Sequence, residues 1–320
     1  MDTFHDYRAA TRGAVAALGN FDGVHRGHQG VIGRAAELAR AAGAPLGIVT
    51  FEPHPREYMR PADPPFRLTL LASRQRLLAA LGVELLYAIP FDAGLMALEA
   101  EAFVEQVLVQ GLGLRHAVVG YDFVFGKGRS GTVATLQTAG QKHGFGVTVV
   151  PPVTDGGIVY SSTRIRDLLQ AGDPVAAADL LGHWWEVEGM VEQGDQRGRH
   201  LGFPTANVAL GASLIPRLGV YAVRAGLTGT DGLVWRDGVA NIGLRPTFGK
   251  DKVALEVHLL DFAGDLYGQT LRVAFTGFIR GEQKFAGLDA LKAQIAADRD
   301  TARAMLADPG GAAGRFGLRP

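Results

Sequence analysis

Cysteine is absent from this 320-residue chain, which excludes a disulfide framework, a thiol nucleophile and a thiolate metal site. Neither sign of charge is in excess, because 32 Lys and Arg residues balance 32 Asp and Glu residues. Without a basic field, we expect neither nucleic acid nor a membrane as partner. The chain has no apolar run long enough to span a bilayer and no signal-peptide pattern at its start. We therefore expect a cytoplasmic protein acting on small molecules; self-association stays open.

The length favours two domains, and the hydrophobic pattern changes along the chain. In the first part, short apolar runs alternate with amphipathic segments, which predicts an α/β domain with a parallel sheet. Predicted strands are 13–18, 46–51, 85–91, 116–123 and 147–153, and predicted helices are 31–42, 73–81 and 99–109.

After residue 182 the apolar runs are separated by Gly, Pro and Asp with little helix between them, which predicts an antiparallel β-barrel. Its predicted strands are 185–191, 220–225, 233–242, 254–262 and 271–276. Helical spacing predicts a terminal helix whose buried stripe is Leu288, Leu291, Ile295, Ala302 and Leu306. The predicted domains are 1–182 and 183–307, followed by a flexible tail at 308–320.

The segment 19–28, GNFDGVHRGH, lies where the first predicted strand leads into the first predicted helix. Ligands bind at the carboxyl ends of parallel strands, and glycines let the backbone approach a phosphate beside a helix N-terminus. His25 and His28 face the same way on a helical turn. Such donors suit charge stabilisation during transfer at an α-phosphate. By pattern alone, the pair also fits a metal site or an ordinary turn.

A second informative segment is 194–207, GDQRGRHLGFPTAN. Its basic, glycine-rich loop can donate backbone N–H groups to phosphates, and Thr205 and Asn207 offer hard oxygens of the kind Mg²⁺ takes. Further on, Glu256 alternates with apolar neighbours and so lies on the face away from the apolar layer. A carboxylate there can take the proton of an attacking hydroxyl. By pattern alone, a surface turn and a solvent-facing carboxylate are the more common interpretations of these two features.

These segments resemble one known family. Residues 25–28, HRGH, resemble the HxGH motif of nucleotidylyltransferases, and the resemblance extends to TFEPHP (50–55), GYDFVFGKGRSG (120–131) and SSTRIR (161–166). Residues 204–207, PTAN, are similar to the riboflavin kinase signature, and further similar segments follow in order at 219–223, 240–249, 255–262, 265–268 and 278–285. Together they resemble the bacterial bifunctional riboflavin kinase/FMN adenylyltransferase (FAD synthetase) family.

The resemblance implies a Rossmann-like nucleotidylyltransferase domain followed by a riboflavin kinase barrel. The barrel would phosphorylate riboflavin with ATP and Mg²⁺, and the first domain would join FMN to AMP from a second ATP, giving FAD and pyrophosphate. Catalytic roles are implied for Glu256 as the kinase base and for His25, His28 and Arg166 in adenylyl transfer. Thr205 and Asn207 are the implied metal ligands.

Binding residues are predicted in both domains. Nucleotide contacts are expected at Gly19, Asn20, Phe21, Gly23, Gly27, Thr163, Gly194, Gly198, Arg199, Gly202, Pro204, Thr205 and Asn207. Flavin contacts are expected at Asp122, Phe123, Phe125, Asn241 and Arg280. Phe123 and Phe125 are the candidates for ring stacking.

Three alternatives remain. Val124 and Thr132 stand where the family usually has a basic and an acidic residue, so the chain could be a riboflavin kinase with a weak or repurposed first domain. A flavin-binding regulator without turnover is the second alternative. The third is an NAD-dependent enzyme, because residues 126–131, GKGRSG, match G-x-G-x-x-G and Asp155 lies at a tolerable distance for a ribose.

Overall fold

The computed structural model describes residues 1–155, 157–193, 202–229, 232–247 and 250–307. The chain divides into two compact units, Met1–Pro64 with Leu71–Ser161 and Pro65–Leu70 with Ser162–Pro320. Residues 162–182, which the sequence pattern assigned to the first domain, are thus grouped with the second unit. The domain boundary at 182 stays a prediction. The predicted tail, 308–320, lies outside the described residues.

The first unit contains a six-stranded parallel sheet with the strand order β1-β4-β3-β2-β5-β6. The strands are β1 (Asp2–Phe4), β2 (Val15–Leu18), β3 (Leu46–Glu52), β4 (Leu85–Pro90), β5 (His116–Gly120) and β6 (Gly146–Val150). This confirms the predicted parallel α/β fold. The edge strand β1 was not predicted, because three residues are too few to show an alternation of apolar and polar side chains. A small hairpin of β7 (Thr154–Asp155) and β8 (Ile158–Val159) follows the sheet.

Helices cover both faces of this sheet, so its central strands are buried and read as apolar runs. The helices are α1 (Arg26–Ala42), α2 (Pro55–Met59), α3 (Leu71–Ala80), α4 (Ala93–Ala97), α5 (Ala100–Phe103) and α6 (Val133–His143). A π-helical segment, Val104–Gly111, continues α5, and a 3₁₀ turn, Lys127–Arg129, precedes α6. One apolar core contains Ile32 of α1, and the other contains Phe103 of α5. Helix α1 begins earlier than predicted, since its glycines hide the apolar period.

The strand order reverses at β2, because β3 and β4 lie on one side of it and β5 and β6 on the other. Ligands of such sheets bind in the crevice beyond the carboxyl ends of the strands at this reversal. Residues 19–28 follow β2 and residues 121–131 follow β5. The fold thus brings two of the predicted motifs to one edge of the sheet.

The second unit begins with α7 (Ser162–Ala171) and α8 (Pro174–Leu181) and continues into a closed antiparallel barrel with the order β10-β13-β12-β11-β14-β9. Its strands are β9 (Glu186–Glu192), β10 (Ala206–Val208), β11 (Gly219–Gly229), β12 (Gly232–Thr247), β13 (Lys250–Leu259) and β14 (Thr270–Arg280). The barrel confirms the predicted architecture. The three-residue strand β10 was not predicted, for the same reason as β1.

Helix α9 (Leu288–Ala307) packs on the outer wall of the barrel. Ala302 and Leu306 are buried against Ala222 of β11. The predicted stripe was wrong at Leu288, which is 57% exposed because the first turn of α9 does not reach the barrel core. Leu291 and Ile295 are half-buried. The outer wall next to this helix is therefore partly covered, while the barrel interior holds the main apolar core.

Candidate active sites

The start of α1 brings the two histidines of the HRGH motif together. His25 is the N-cap residue, and its Nδ1 accepts a hydrogen bond from the His28 N–H at 3.3 Å. The two rings are stacked, with centroids 3.6 Å apart and an interplanar angle of 21°. Because Nδ1 of His25 accepts, the proton of its neutral ring lies on Nε2, which becomes a donor. The motif thus presents imidazole donors at the N-terminus of α1, where the partial positive charge of the helix favours an anion.

The turn between β2 and α1 is held in an unusual backbone conformation. Phe21 and Val24 have positive φ angles of 50° and 43°, as does Gly23 at 86°. Such angles are unfavourable for residues with a side chain and persist where the surroundings enforce them. Phe21 is buried, and its ring lies edge-on to His28 with centroids 5.2 Å apart. The packed turn therefore fixes the position of the His28 ring.

A buried arginine fastens the same turn to its neighbours. Arg74 of α3 donates from Nη1 to the Asn20 carbonyl at 3.0 Å and forms an ion pair with Glu52 at the end of β3. Thr50 Oγ donates to the same carbonyl at 3.3 Å. Arg74 and Glu52 were not among the residues predicted from the sequence. Nothing in the local pattern of α3 marks an arginine as buried, so only the assembled fold reveals this contact.

Gly27 leaves room for the His25 ring. A Cβ at this position would lie 3.0 Å from His25 Cε1 and 3.3 Å from Tyr160 Cβ. Gly19, by contrast, would meet only the Phe21 ring, at 3.4 Å. The contact at Gly27 is tight, so a side chain there would push the His25 ring by a few tenths of an ångström.

We therefore expect Gly27→Ala to lower adenylyl transfer to FMN roughly tenfold by moving the His25 donor. The matched control is Gly33→Ala in the same helix, where a Cβ would meet nothing within 4 Å. Alanine should stabilise this exposed helical position by about 0.5–1 kcal/mol and leave the rate unchanged. Rates of FAD formation and urea unfolding of both variants provide the measurement. Equal rates for the two variants would contradict the crowding argument.

The loop after β5 carries the predicted flavin residues of the first unit. Phe125 is buried against Phe103 at 5.6 Å, whereas Phe123 is half-buried and stacks on Phe125 at 5.6 Å with an angle of 21°. Asp122 is exposed. Phe125 is thus part of the apolar core, whereas the partly exposed ring of Phe123 can still contact a ligand. Flavin contact by these three residues stays a prediction.

The G-x-G-x-x-G match at 126–131 does not form a strand-to-helix turn. Phe125 and Gly131 exchange backbone hydrogen bonds at 3.0 and 2.9 Å, which closes the loop on itself. Helix α6 begins only after the loop, with Thr132 as its N-cap in a capping box with Thr135. A dinucleotide fingerprint needs the glycines at the helix start, so the geometry disfavours the NAD alternative. Thr132, like the acidic residue usual in the family, is a favourable N-cap.

Thr163 and Arg166 lie on α7 and belong to the second unit. Arg166 donates from Nε to the Phe66 carbonyl at 2.8 Å, and its guanidinium lies 5.2 Å from the centre of the Phe66 ring. Thr163 is exposed in the first turn. Phe66 therefore orients Arg166, a contact that the sequence analysis did not foresee. The predicted contacts of both residues with ATP stay predictions.

In the barrel, three predicted residues form one row across neighbouring strands. Asn207 of β10 pairs in register with Glu256 of β13, which pairs with Asn241 of β12. Paired residues share a face of the sheet, and the residues alternating with them, such as Val257 and Ile242, fill the barrel interior. The three side chains therefore lie on the outer wall, half-buried. Register thus brings together the predicted base, metal ligand and flavin contact.

The chain entering β10 carries the rest of the predicted nucleotide site. Gly202 has a positive φ of 87°, Pro204 is exposed and Thr205 is half-buried. His258 Nδ1 lies 2.8 Å from the Pro204 carbonyl oxygen, and the Phe203 ring contacts the His258 ring edge-on. The predicted contacts Gly194, Gly198 and Arg199 lie outside the described residues. His258 was not among the predicted site residues, although its position two residues after Glu256 places it on the same face of the strand.

The oxygens near this row suit Mg²⁺ bound through a nucleotide. In the described parts of the chain, no group of three or more His, Cys, Asp or Glu residues could hold a metal by itself. Thr205 and Asn207 offer a hydroxyl and a carboxamide oxygen next to the row. Mg²⁺ commonly takes one or two protein oxygens and completes its shell with phosphates and water. The residues therefore fit a phosphate-bound Mg²⁺.

Arg280, predicted to contact flavin, joins β14 to α9 in the structure. It donates from Nε and Nη2 to the two carboxylate oxygens of Asp298 at 2.9 and 2.7 Å. Gln294 Nε2 donates to Asp298 Oδ1 at 2.9 Å, and Asp298 is only 4% exposed. A role in fastening α9 follows from this geometry, while flavin contact stays a prediction. Asp298 was missed because only folding brings the two residues together.

We expect Asp298→Ala to lower the free energy of unfolding of the second unit by about 3 kcal/mol, because the mostly buried guanidinium of Arg280 loses its carboxylate partner. Asp261→Ala is the matched control: Arg303 of α9 also binds Asp261 through two hydrogen bonds, but that pair is exposed. Its loss should matter little. Trp184, Trp185 and Trp235, all in this unit, report urea unfolding by fluorescence. Similar losses in both variants would contradict the distinction by burial.

Comparisons with known proteins identify relatives of both parts of the chain. The chain matches the family model for FAD synthetase over residues 7–164 and the model for riboflavin kinase over residues 181–306. The bifunctional riboflavin kinase/FMN adenylyltransferase of Pseudomonas fluorescens is 46% identical over 304 residues, which cover 95% of this chain and 96% of that protein. The enzyme of the same name from Escherichia coli K12 is 44% identical, with 92% and 94% covered.

One solved structure is similar to this chain over most of its length. It is a crystal structure described as a macrolide-efflux protein from Streptococcus pneumoniae, with a TM-score of 0.83 and 31% identity over 94% of this chain and 98% of that one. Among the helices of the described residues, none is long and apolar enough to cross a membrane. With both family models matched in succession and relatives above 40% identity along nearly the full length, this chain belongs to the bifunctional riboflavin kinase/FMN adenylyltransferase family.

Proposed function

We infer that this chain makes FMN from riboflavin and FAD from FMN, with one ATP consumed in each step. The barrel is the riboflavin kinase, and the parallel α/β unit is the FMN adenylyltransferase. The observation that carries this inference is that the chain matches both family models in order, over residues 7–164 and 181–306. The substrates are riboflavin, FMN and ATP. We propose a cytoplasmic location, where these small molecules are available.

In the kinase, the 5′-hydroxyl of the ribityl chain attacks the γ-phosphate of ATP. The new O–P bond forms as the bond to ADP breaks, and Glu256 accepts the hydroxyl proton. Asn207 and Asn241 flank Glu256 in the row on the outer wall. In this proposal Asn207 and Thr205 hold the phosphate side, and Asn241 orients the flavin. Thr205 and Asn207 would hold Mg²⁺, which would supply positive charge to the phosphates.

In the adenylyltransferase, a phosphate oxygen of FMN attacks the α-phosphate of ATP, and pyrophosphate leaves. The attacking oxygen is already an anion, so a strong base is unnecessary. What the reaction needs is a set of donors around the phosphates as charge redistributes. His25, His28 and the N-terminus of the 17-residue helix α1 supply them. Gly19, Gly23 and Gly27 let the phosphates approach the backbone.

The test is a time course. Purified protein is mixed with riboflavin, ATP and Mg²⁺, and the flavins are separated by chromatography. We expect FMN to appear first and FAD to follow. FMN without FAD would favour the alternative in which only the kinase works. Folded protein that converts nothing would favour a flavin-binding regulator, although a binder has no need of a carboxylate placed between Asn207 and Asn241.

A further inference from the structure

His258 lies beside the predicted residues of the barrel site and makes contacts that the proposed kinase mechanism does not use. It follows Glu256 by two positions on β13, so both side chains point to the outer wall. The pairing of β10 with β13 runs from Val208 and Leu255 to Ala206 and Val257 and then ends. Continued by one residue, the register would set Thr205 opposite His258. His258 thus stands where the backbone pairing stops.

Beyond the last backbone pairing of β10 with β13, a hydrogen bond from the His258 side chain connects the two segments. A carbonyl oxygen can only accept, so Nδ1 of His258 must donate the 2.8 Å hydrogen bond to Pro204. Pro204 has no N–H and cannot extend the ladder itself. The Phe203 ring meets the His258 ring edge-on, with centroids 5.8 Å apart and an angle of 78°. One imidazole therefore holds the two residues that lead into Thr205.

This contact fixes more than one atom. The peptide joining Pro204 to Thr205 is planar, so holding the Pro204 oxygen also sets the Thr205 nitrogen and Cα. The starting point of the Thr205 side chain is then determined by His258. Asn241 lies on β12, on the opposite side of β13 from β10. The hydrogen bond from His258 to Pro204 therefore acts on the proposed nucleotide side of Glu256 and not on the flavin side.

We propose that His258 is a positioning residue of the kinase, which holds the Pro204–Thr205 peptide so that the Thr205 hydroxyl meets Mg²⁺-bound ATP. The inference rests on the kinase function proposed above and adds a residue that acts through Thr205 and touches no substrate. Loss of one hydrogen bond at a half-exposed position leaves the fold largely intact. A displaced Thr205 hydroxyl contributes less to holding Mg²⁺-bound ATP, so the effect should appear in nucleotide binding.

The test compares two variants of the full-length protein. His258→Phe keeps a ring against Phe203 but has no donor, whereas His258→Asn keeps a donor near the position of Nδ1. In steady-state phosphorylation of riboflavin, we expect His258→Phe to raise the KM for Mg²⁺-ATP roughly tenfold and leave the KM for riboflavin unchanged. His258→Asn should stay within about threefold of wild type. FAD formation from added FMN, measured on the same samples, should be unaltered.

The outcomes separate the inference from the function on which it rests. Unchanged ATP kinetics in His258→Phe would overturn the inference alone, as would equal impairment of both variants, because the ring and not the hydrogen bond would then matter. A rise in the KM for riboflavin instead of that for ATP would overturn it too. Wild-type protein that forms no FMN would contradict the proposed kinase function itself and, with it, the role of His258.

Discussion

Glu256→Gln is expected to abolish FMN formation from riboflavin and to leave FAD formation from added FMN unchanged. Glutamine keeps the size of the side chain and can still form hydrogen bonds between Asn207 and Asn241, but it cannot accept the proton of the ribityl hydroxyl. Removal of a positioned general base lowers a rate by about 10²–10⁴-fold. The two rates are measured separately on one preparation, with riboflavin or FMN as the starting flavin.

The matched control for Glu256→Gln is Glu192→Gln. Glu192 of β9 pairs in register with Asn207, so two carboxylates flank this asparagine in the same row, and only Glu256 also has Asn241 beside it. We expect Glu192→Gln to retain kinase activity. If Glu192→Gln lost FMN formation and Glu256→Gln kept it, the base would be assigned to the wrong carboxylate. If both FMN and FAD formation fell in folded Glu256→Gln, the proposed division of labour between the units would be wrong.

His28→Ala is expected to stop the chain at FMN. The His28 ring stacks on His25 at the start of α1, where it can donate to the phosphates of the transition state. Loss of one such donor costs about 10²–10³-fold in rate. The N-terminal cap of α1 should survive, because His25 accepts its hydrogen bond from the His28 backbone, which alanine retains. The effect should therefore appear in catalysis and not in folding.

The measurement follows FAD formation from FMN and FMN formation from riboflavin in wild type and His28→Ala. The kinase rate is the internal control, and the expected pattern is the reverse of that for Glu256→Gln. His25→Ala is a less specific comparison, because it also removes the cap, which contributes about 0.5–2 kcal/mol. Undiminished FAD formation by His28→Ala would remove this ring from the mechanism.

The sequence by itself determined the features that depend on neighbours along the chain. Alternating apolar runs and amphipathic segments predicted the parallel α/β unit, and glycine-punctuated runs predicted the barrel. The HRGH site was visible because the two histidines share one helical turn. Strands β1 and β10 were not visible, because three residues carry no period.

Only the tertiary structure decided which distant residues meet. The register of antiparallel strands sets Asn207, Glu256 and Asn241 in one row, and this register depends on how the whole barrel closes. In the same way, burial of Arg74 beneath the first site was settled by the packing of α3, and the pairing of Arg280 with Asp298 by the docking of α9. The spacing of apolar residues along the chain shows which face of a helix or strand is buried. Which residues pack against that face depends on how the whole chain folds.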